Sequence, residues 1–246
     1  MPLSSTLRSS HVLWTLGILL LLLGWDALAL DLSMARWFGD AGGFALRDDW
    51  LLTSVLHDGA RRLGWVLWGG LLLTVWRPVG GLRALARGER AGLVAGVGLA
   101  LLTVSVLKGG SHTSCPWDLT EFGGLTRYVS HWQWQVYDGG GGHCFPAGHA
   151  STGFAFVAGY FWLRETAPRA ARRWLVAALT AGLVLGLAQQ VRGAHFMSHT
   201  LWTAWLCWSA AGLGHALQRR AQARRGAVRG HRGMVPPARG ETGRAG

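Results

Sequence analysis

Lysine is almost missing from this chain of 246 residues. Lys108 is the only one, and the other 23 basic side chains are arginine. Acidic residues are scarce as well: 12 Asp and Glu stand against 24 Lys and Arg, a net charge of +12. With so few acids the basic charge has little to pair with inside the chain, which invites a nucleic-acid reading. Its placement argues against that, because the arginines fall in short clusters between long apolar runs instead of along one face. There are three cysteines, Cys115, Cys144 and Cys207, too widely spaced for a compact zinc motif. No internal repeat is present, which sets aside solenoid architectures. The four glycines Gly139–Gly142 lack the strand-to-helix setting of a phosphate-binding loop.

Hydrophobic sequence is abundant. Six apolar runs stand out, at 12–30, 63–76, 91–107, 150–163, 174–188 and 201–217. With flanking Trp, Gly and small residues they predict an all-α, polytopic membrane bundle of about six transmembrane helices. Ala27-Leu28-Ala29 resembles a signal-peptide cleavage site, but the apolar stretch before it is long and holds Trp14 and Trp25, so a retained span is expected. Arginines follow the second, fourth and sixth runs. With Arg8 they make 17 of the 24 basic residues on one side of the six-span layout. The positive-inside bias puts that side, and both termini, in the cytoplasm. Residues 1–217 form the membrane domain, with outward segments at 31–62 and 109–146. Residues 218–246 read as a basic, disordered cytoplasmic tail suited to anionic headgroups. Asp31, Asp40, Asp48, Asp49 and Asp58 read as a solvated outward stretch, His131 and His143 as surface loop residues, and Cys207 as a buried small hydrophobe. Cys115 and Cys144 fall in or beside the outward loop, an oxidising compartment in a bacterium, where a disulfide is open to them.

Three segments carry chemistry at outward helix ends. They are Lys108–Leu119, Cys144–Ser151 and Gln189–Thr200. Lys, Arg and several His beside an apolar bundle suit a phosphate. Cations neutralise its oxygens, and imidazoles attack phosphorus or protonate a leaving group. These segments hold Lys108, His112, Asp118, Gly148, His149, Ser151, Arg192, His195 and His199, and His112 is open to either phosphate contact or loop packing.

In these segments the chain resembles the type 2 phosphatidic acid phosphatase superfamily, whose motifs are K-x6-R-P, P-S-G-H and S-R-x5-H-x3-D. Lys108 and Pro116 match the first, with Cys115 at the arginine. Pro146-Ala147-Gly148-His149 matches the second, with Ala147 at the serine. His195-x3-His199 matches the end of the third, with His199 at the aspartate and Gln189 at the arginine. Arg192 lies one helical turn beyond Gln189 and can aim at much the same spot.

The resemblance implies a nucleophilic His195 that forms a phosphohistidine, His149 as general acid and then base, and Lys108 and Arg192 on the phosphoryl oxygens. It implies no metal and no other cofactor. The expected activity is that of a metal-independent phosphatase or phosphotransferase. Its substrate would be a lipid phosphate or pyrophosphate, handled at the periplasmic face of a bacterial inner membrane. Its partners would be that lipid and the bilayer, with no nucleic acid. The lost aspartate needs a substitute, and Asp118 is preferred over Glu121 and Asp138. Ser151 can replace the hydroxyl lost at Ala147, and backbone N–H groups after Gly148 and Ser198 can add donors. Two other readings are a non-catalytic lipid-headgroup binder and, more remotely, a metal site built from His112, Cys115, His131, His143, Cys144 and His149.

Overall fold

The computed structural model describes residues 3–233. The fold is mostly helical. In chain order come α1 (Leu3–Ala27), α2 (Leu30–Ala35), a small antiparallel hairpin of β1 (Gly39–Asp40) and β2 (Gly43–Phe44), and a π-helical segment (Leu51–Gly59). Then follow α3 (Ala60–Leu73), α4 (Arg87–Gly109), α5 (Gly148–Phe154), α6 (Ala158–Leu163), α7 (Pro168–Val191) and α8 (Met197–Gly233). A 3₁₀ turn at Ala155–Val157 joins α5 to α6, so the two make one helical pass. Two helices, α4 and α7, are long and apolar enough to cross a membrane, with mean hydropathies of 1.9 and 1.6.

Local signals set these helix ends. Glu89 accepts from the Ala86 backbone N–H at 2.8 Å and so caps the start of α4. α4 ends at Gly109, one residue beyond Lys108. Pro168 opens α7, where its missing N–H costs nothing. α1 lies along α8: Trp205 Nε1 donates to the Thr15 carbonyl at 3.0 Å, and Trp208 Nε1 to the Thr15 hydroxyl at 2.9 Å.

The central core joins α4, α5, α6, α7 and α8 through Leu93, Val97, Phe154, Phe161, Trp162 and Cys207. Cys207 is a free, buried thiol. Glycines bring the backbones together. A Cβ on Gly153 of α5 would lie 2.3 Å from the backbone nitrogen of Gly182 on α7, and one on Gly182 would lie 2.3 Å from the Phe154 ring. Gly159 gives the same clearance to Trp174, and Gly96 to Trp162. Small residues at such crossings let dispersion and weak polar contacts hold helices together where no hydrophobic drive operates between them. Outside the bundle, Leu13, Leu21, Val66, Leu73, Leu102, Val106 and Val176 are exposed.

Three expectations change. The tail expected to be disordered from residue 218 instead continues α8 to Gly233, while residues 234–246 lie outside the described residues. Ala, Leu, Gln and Arg favour helix, and Gln218 is anchored by Trp162 Nε1 at 2.7 Å and the Gly88 carbonyl at 2.7 Å. Asp31 is buried, not solvated: its carboxylate accepts from the Ser198 backbone N–H at 3.0 Å, from the Ser198 hydroxyl, and from Trp25 Nε1 at 2.9 Å. A carboxylate at the N-terminus of α8 is favoured by the unpaired N–H groups there. His131 is buried against the Phe145 ring, centroids 4.2 Å apart, and is not a surface residue.

The glycine contacts give a direct test. Gly153→Val and Gly182→Val should each destabilise the protein by about 1–3 kcal/mol through overpacking. A melting-temperature series on purified protein reads this, with Gly69→Val as the matched control because nothing lies within 4 Å of its Cβ position.

Candidate active site

Lys108 ends α4 half-buried. Its ammonium donates to the His143 carbonyl, and its stem lies on Gly148, where an added Cβ would come within 3.2 Å of Cδ. Gly148 therefore does more than start α5. It leaves the groove in which the lysine stem lies, and so sets where the ammonium sits relative to His149.

His195 is buried on the short turn between α7 and α8. Its Nδ1 lies 2.7 Å from the Cys144 carbonyl. A carbonyl only accepts, so Nδ1 carries the hydrogen and Nε2 holds the free lone pair. Burial pushes the imidazole well below its ordinary pKa, and the Lys108 charge pushes the same way. The ring is therefore neutral, the form a nucleophile needs. The Cys144 carbonyl is held in turn by its surroundings. The Cys144 N–H donates to the Thr113 carbonyl at 3.0 Å, and Cys144 is joined to Cys115 with Cα atoms 5.2 Å apart.

His149 sits in the first turn of α5. Its Nε2 is buried and has no hydrogen-bond partner among the described residues. Such a nitrogen costs free energy unless a ligand engages it. Its ring stacks on His57, with centroids 3.5 Å apart and planes at 27°. His57 comes from the π-helical segment, and its Nδ1 lies 3.1 Å from Asp58 Oδ1. Burial pushes the His57 imidazole down, partly offset by this bond. Sequence reasoning missed His57, because its helix end carries no motif and meets His149 only through tertiary packing.

Arg192 closes the other side. Its Nε donates to the Arg47 carbonyl at 2.8 Å and its Nη1 to Gln189 Oε1 at 3.2 Å. Gln189, at the position where the family motif has arginine, thus orients the arginine of the next turn. The guanidinium lies 5.8 Å from the Trp117 ring centre, with Arg47 on the same ring at 4.6 Å. Gly193 then turns the chain at φ 75°, and its missing Cβ leaves room for Phe44, which would be 2.3 Å away. Only glycine meets both demands.

Lys108 and His195 thus both contact the His143–Gly148 stretch that leads into His149, and the Arg192 charge acts on His149 and His57. The remaining candidates are placed differently. His199 is buried behind His195, ring centroids 5.9 Å apart, and its Nδ1 has no partner. Asp118 is not the partner of His195. It accepts from the Cys115 N–H at 3.3 Å within its own turn, while a carbonyl fills the place by His195 Nδ1. Asp138 is spent on Ser114 and Gly140, and Glu121 on Thr120. The Ser151 hydroxyl donates back to the Gly148 carbonyl at 2.6 Å, so its proton is not offered to a ligand. The Ser198 N–H is taken by Asp31. His112 packs on Tyr137 with centroids 4.0 Å apart. The bonded Cys115 and Cys144 are unavailable as thiolate ligands, which removes two members of the metal set weighed from sequence.

A cleft of 390 Å³ opens beside His149 and Gly148, lined by Trp65, Trp68, Leu101, Leu102 and Phe156, with Arg61 among its polar residues. It offers a mostly apolar slot that reaches the His149 side chain.

The family model of the PAP2 superfamily matches residues 90–223 of the chain, which takes in all three segments. No curated protein and no solved structure matches the chain.

The buried, neutral His195 has a consequence for stability. Unfolded, the imidazole binds a proton below about pH 6.5; folded, it resists protonation far below that. The stability it contributes is therefore full above about pH 6.5 and lost as pH falls. Melting scans of purified protein from about pH 8 to about pH 5 should show a falling transition temperature, with a shallower fall in His195→Gln.

Proposed function

Because the chain belongs to the PAP2 superfamily, whose members are phosphatases acting on phosphate esters, we propose that it hydrolyses a lipid phosphate or pyrophosphate through a phosphohistidine on His195. The observation that carries this reading is that one stretch, Cys144–His149, holds His195 by its Nδ1, seats the Lys108 stem and presents the unpartnered Nε2 of His149.

Nε2 of His195 attacks phosphorus, and the bond from phosphorus to the lipid oxygen breaks. His149 gives its proton to that oxygen as the alcohol, or the shorter phosphate, departs. The incoming phosphate's negative charge favours the protonated form of His149 that this step needs. His149 then takes a proton from water, the oxygen attacks phosphorus, and the P–N bond breaks to return neutral His195 and free phosphate. Lys108 and Arg192 hold the non-bridging oxygens. Phosphoryl transfer asks mainly for such positioning and charge stabilisation.

A lipid substrate is supported by the apolar cleft beside His149 and by the exposed Leu, Val and Trp side chains around the bundle. Six helical passes, α1, α3, α4, α5–α6, α7 and α8, fit a six-span membrane protein. The arginine clusters at 77–90 and 164–173 then mark the cytoplasmic side, and the pocket faces the periplasm.

The test is phosphate release by detergent-solubilised protein from phosphatidic acid, polyprenyl pyrophosphate and other lipid phosphates. His195→Ala should lower turnover by about 10³-fold or more. Lys108→Ala should come close to that, and Lys108→Arg should not restore activity, because the planar guanidinium is bulkier than an ammonium and Gly148 leaves room only for the lysine stem. Release from none of the lipids by the parent protein would overturn the reading.

A further inference from the structure

The third motif of the family ends in an acid, and this chain has His199 there. A phosphoimidazole carries positive charge on its ring, and a catalytic imidazole works best with a negative partner that stabilises that charge. The Cys144 carbonyl holds His195 in place but contributes only a partial charge. Behind His195 lies a continuous buried row of polar side chains. His199 is 1% exposed and has an unpartnered Nδ1. The His131 ring lies perpendicular to it, at 89°, with centroids 5.8 Å apart. Nε2 of His131 has no hydrogen bond, yet it sits 3.3 Å from Asp26 Oδ2, with the two side chains 4% and 9% exposed. The same oxygen of Asp26 accepts from Trp132 Nε1 at 3.0 Å and from Trp202 Nε1 at 2.9 Å.

We infer that Asp26, at the end of α1, supplies the negative charge that the third motif lacks, acting on His195 through His131 and His199. Asp26 and His131 are positioning residues, since neither touches the phosphoryl site. Two indole N–H groups fix the carboxylate at the buried end of the row. The loose 3.3 Å contact with His131 can shorten when positive charge appears on His195. In a dry row this field is screened far less than in water.

The other charged and titratable groups facing the row are Asp31 and Tyr128 on the Asp26 side and Lys108, His149 and His57 on the His195 side. Asp31 already spends its carboxylate on Ser198 and Trp25, so it fixes the start of α8. Asp26, Asp31 and His131 also bring three ligand-type atoms within 4.8 Å of one another. Four side-chain N–H or O–H donors and one backbone N–H already fill those carboxylates, which suits a charge cluster better than a metal shell.

The inference rests on the phosphohistidine reading, and its test separates the two. Asp26→Asn removes the charge but keeps an oxygen for Trp132 and Trp202. His131→Gln breaks the row. In a parent that hydrolyses lipid phosphate, both should lower kcat about tenfold or more and move the pH profile, with KM and melting temperature nearly held. Unchanged kcat and pH profile in both variants would overturn the inference while leaving the phosphatase reading intact. A second readout needs no turnover. In histidine-selective ¹⁵N spectra of the purified protein at neutral pH, Asp26→Asn should shift the ring resonances of His199 and His195 as well as those of His131. If the His199 and His195 resonances do not move, the inference fails even for a parent with no measurable phosphatase activity.

Discussion

A single backbone carbonyl, that of Cys144, decides which nitrogen of His195 is free. It takes the hydrogen on Nδ1 at 2.7 Å and leaves Nε2 with its lone pair. Everything nearby keeps that carbonyl where it is. Cys144 is bonded to Cys115, its N–H is held by Thr113, and the chain runs on directly to Gly148 under the lysine stem. One short stretch thus orients the nucleophile, seats the cation and presents His149. In most catalytic histidines a carboxylate does the orienting and supplies charge as well. Here the two tasks are divided. The carbonyl orients His195, and the proposed charge partner is Asp26.

The same division runs through the departures from the family motifs. Gln189 does not contact phosphate in place of arginine; it aims Arg192. Cys115 does not supply a cation in place of arginine; it ties the loop to Cys144. His199 does not act as a carboxylate; it extends the row toward Asp26. At Gln189 and Cys115 the side chain holds another group in place where the motif has an arginine. Under the proposed function, Lys108 is then the main full cation against the phosphate, together with Arg192.

That Lys108, His149, Arg192 and His195 sit at or near helix ends was legible in the sequence, because each borders an apolar run. The presence of the long helices was legible for the same reason. The long-range contacts were not. Asp26 to His131, Asp31 to Ser198 and His57 to His149 link distant parts of the chain, and each depends on how helices are rotated about their own axes. Composition suggested that acids in 31–62 are solvated, which holds for charges in general but fails where a helix N-terminus and an indole N–H wait for one. The helical run of α8 past Leu217 was not legible, because a segment rich in Arg, Gly and Ala reads as a disordered tail. Helix propensity and the bonds at Gln218 act the other way.

The most direct measurement is rapid acid-free quenching of the working protein, at alkaline pH where phosphoimidazole survives, followed by peptide mapping by mass spectrometry. The account predicts a phosphoryl group on His195 that builds up during turnover, persists longest when His149 is replaced by Gln, and never forms in His195→Ala. Steady release of phosphate by a parent protein that never carries phosphate on His195 would contradict it.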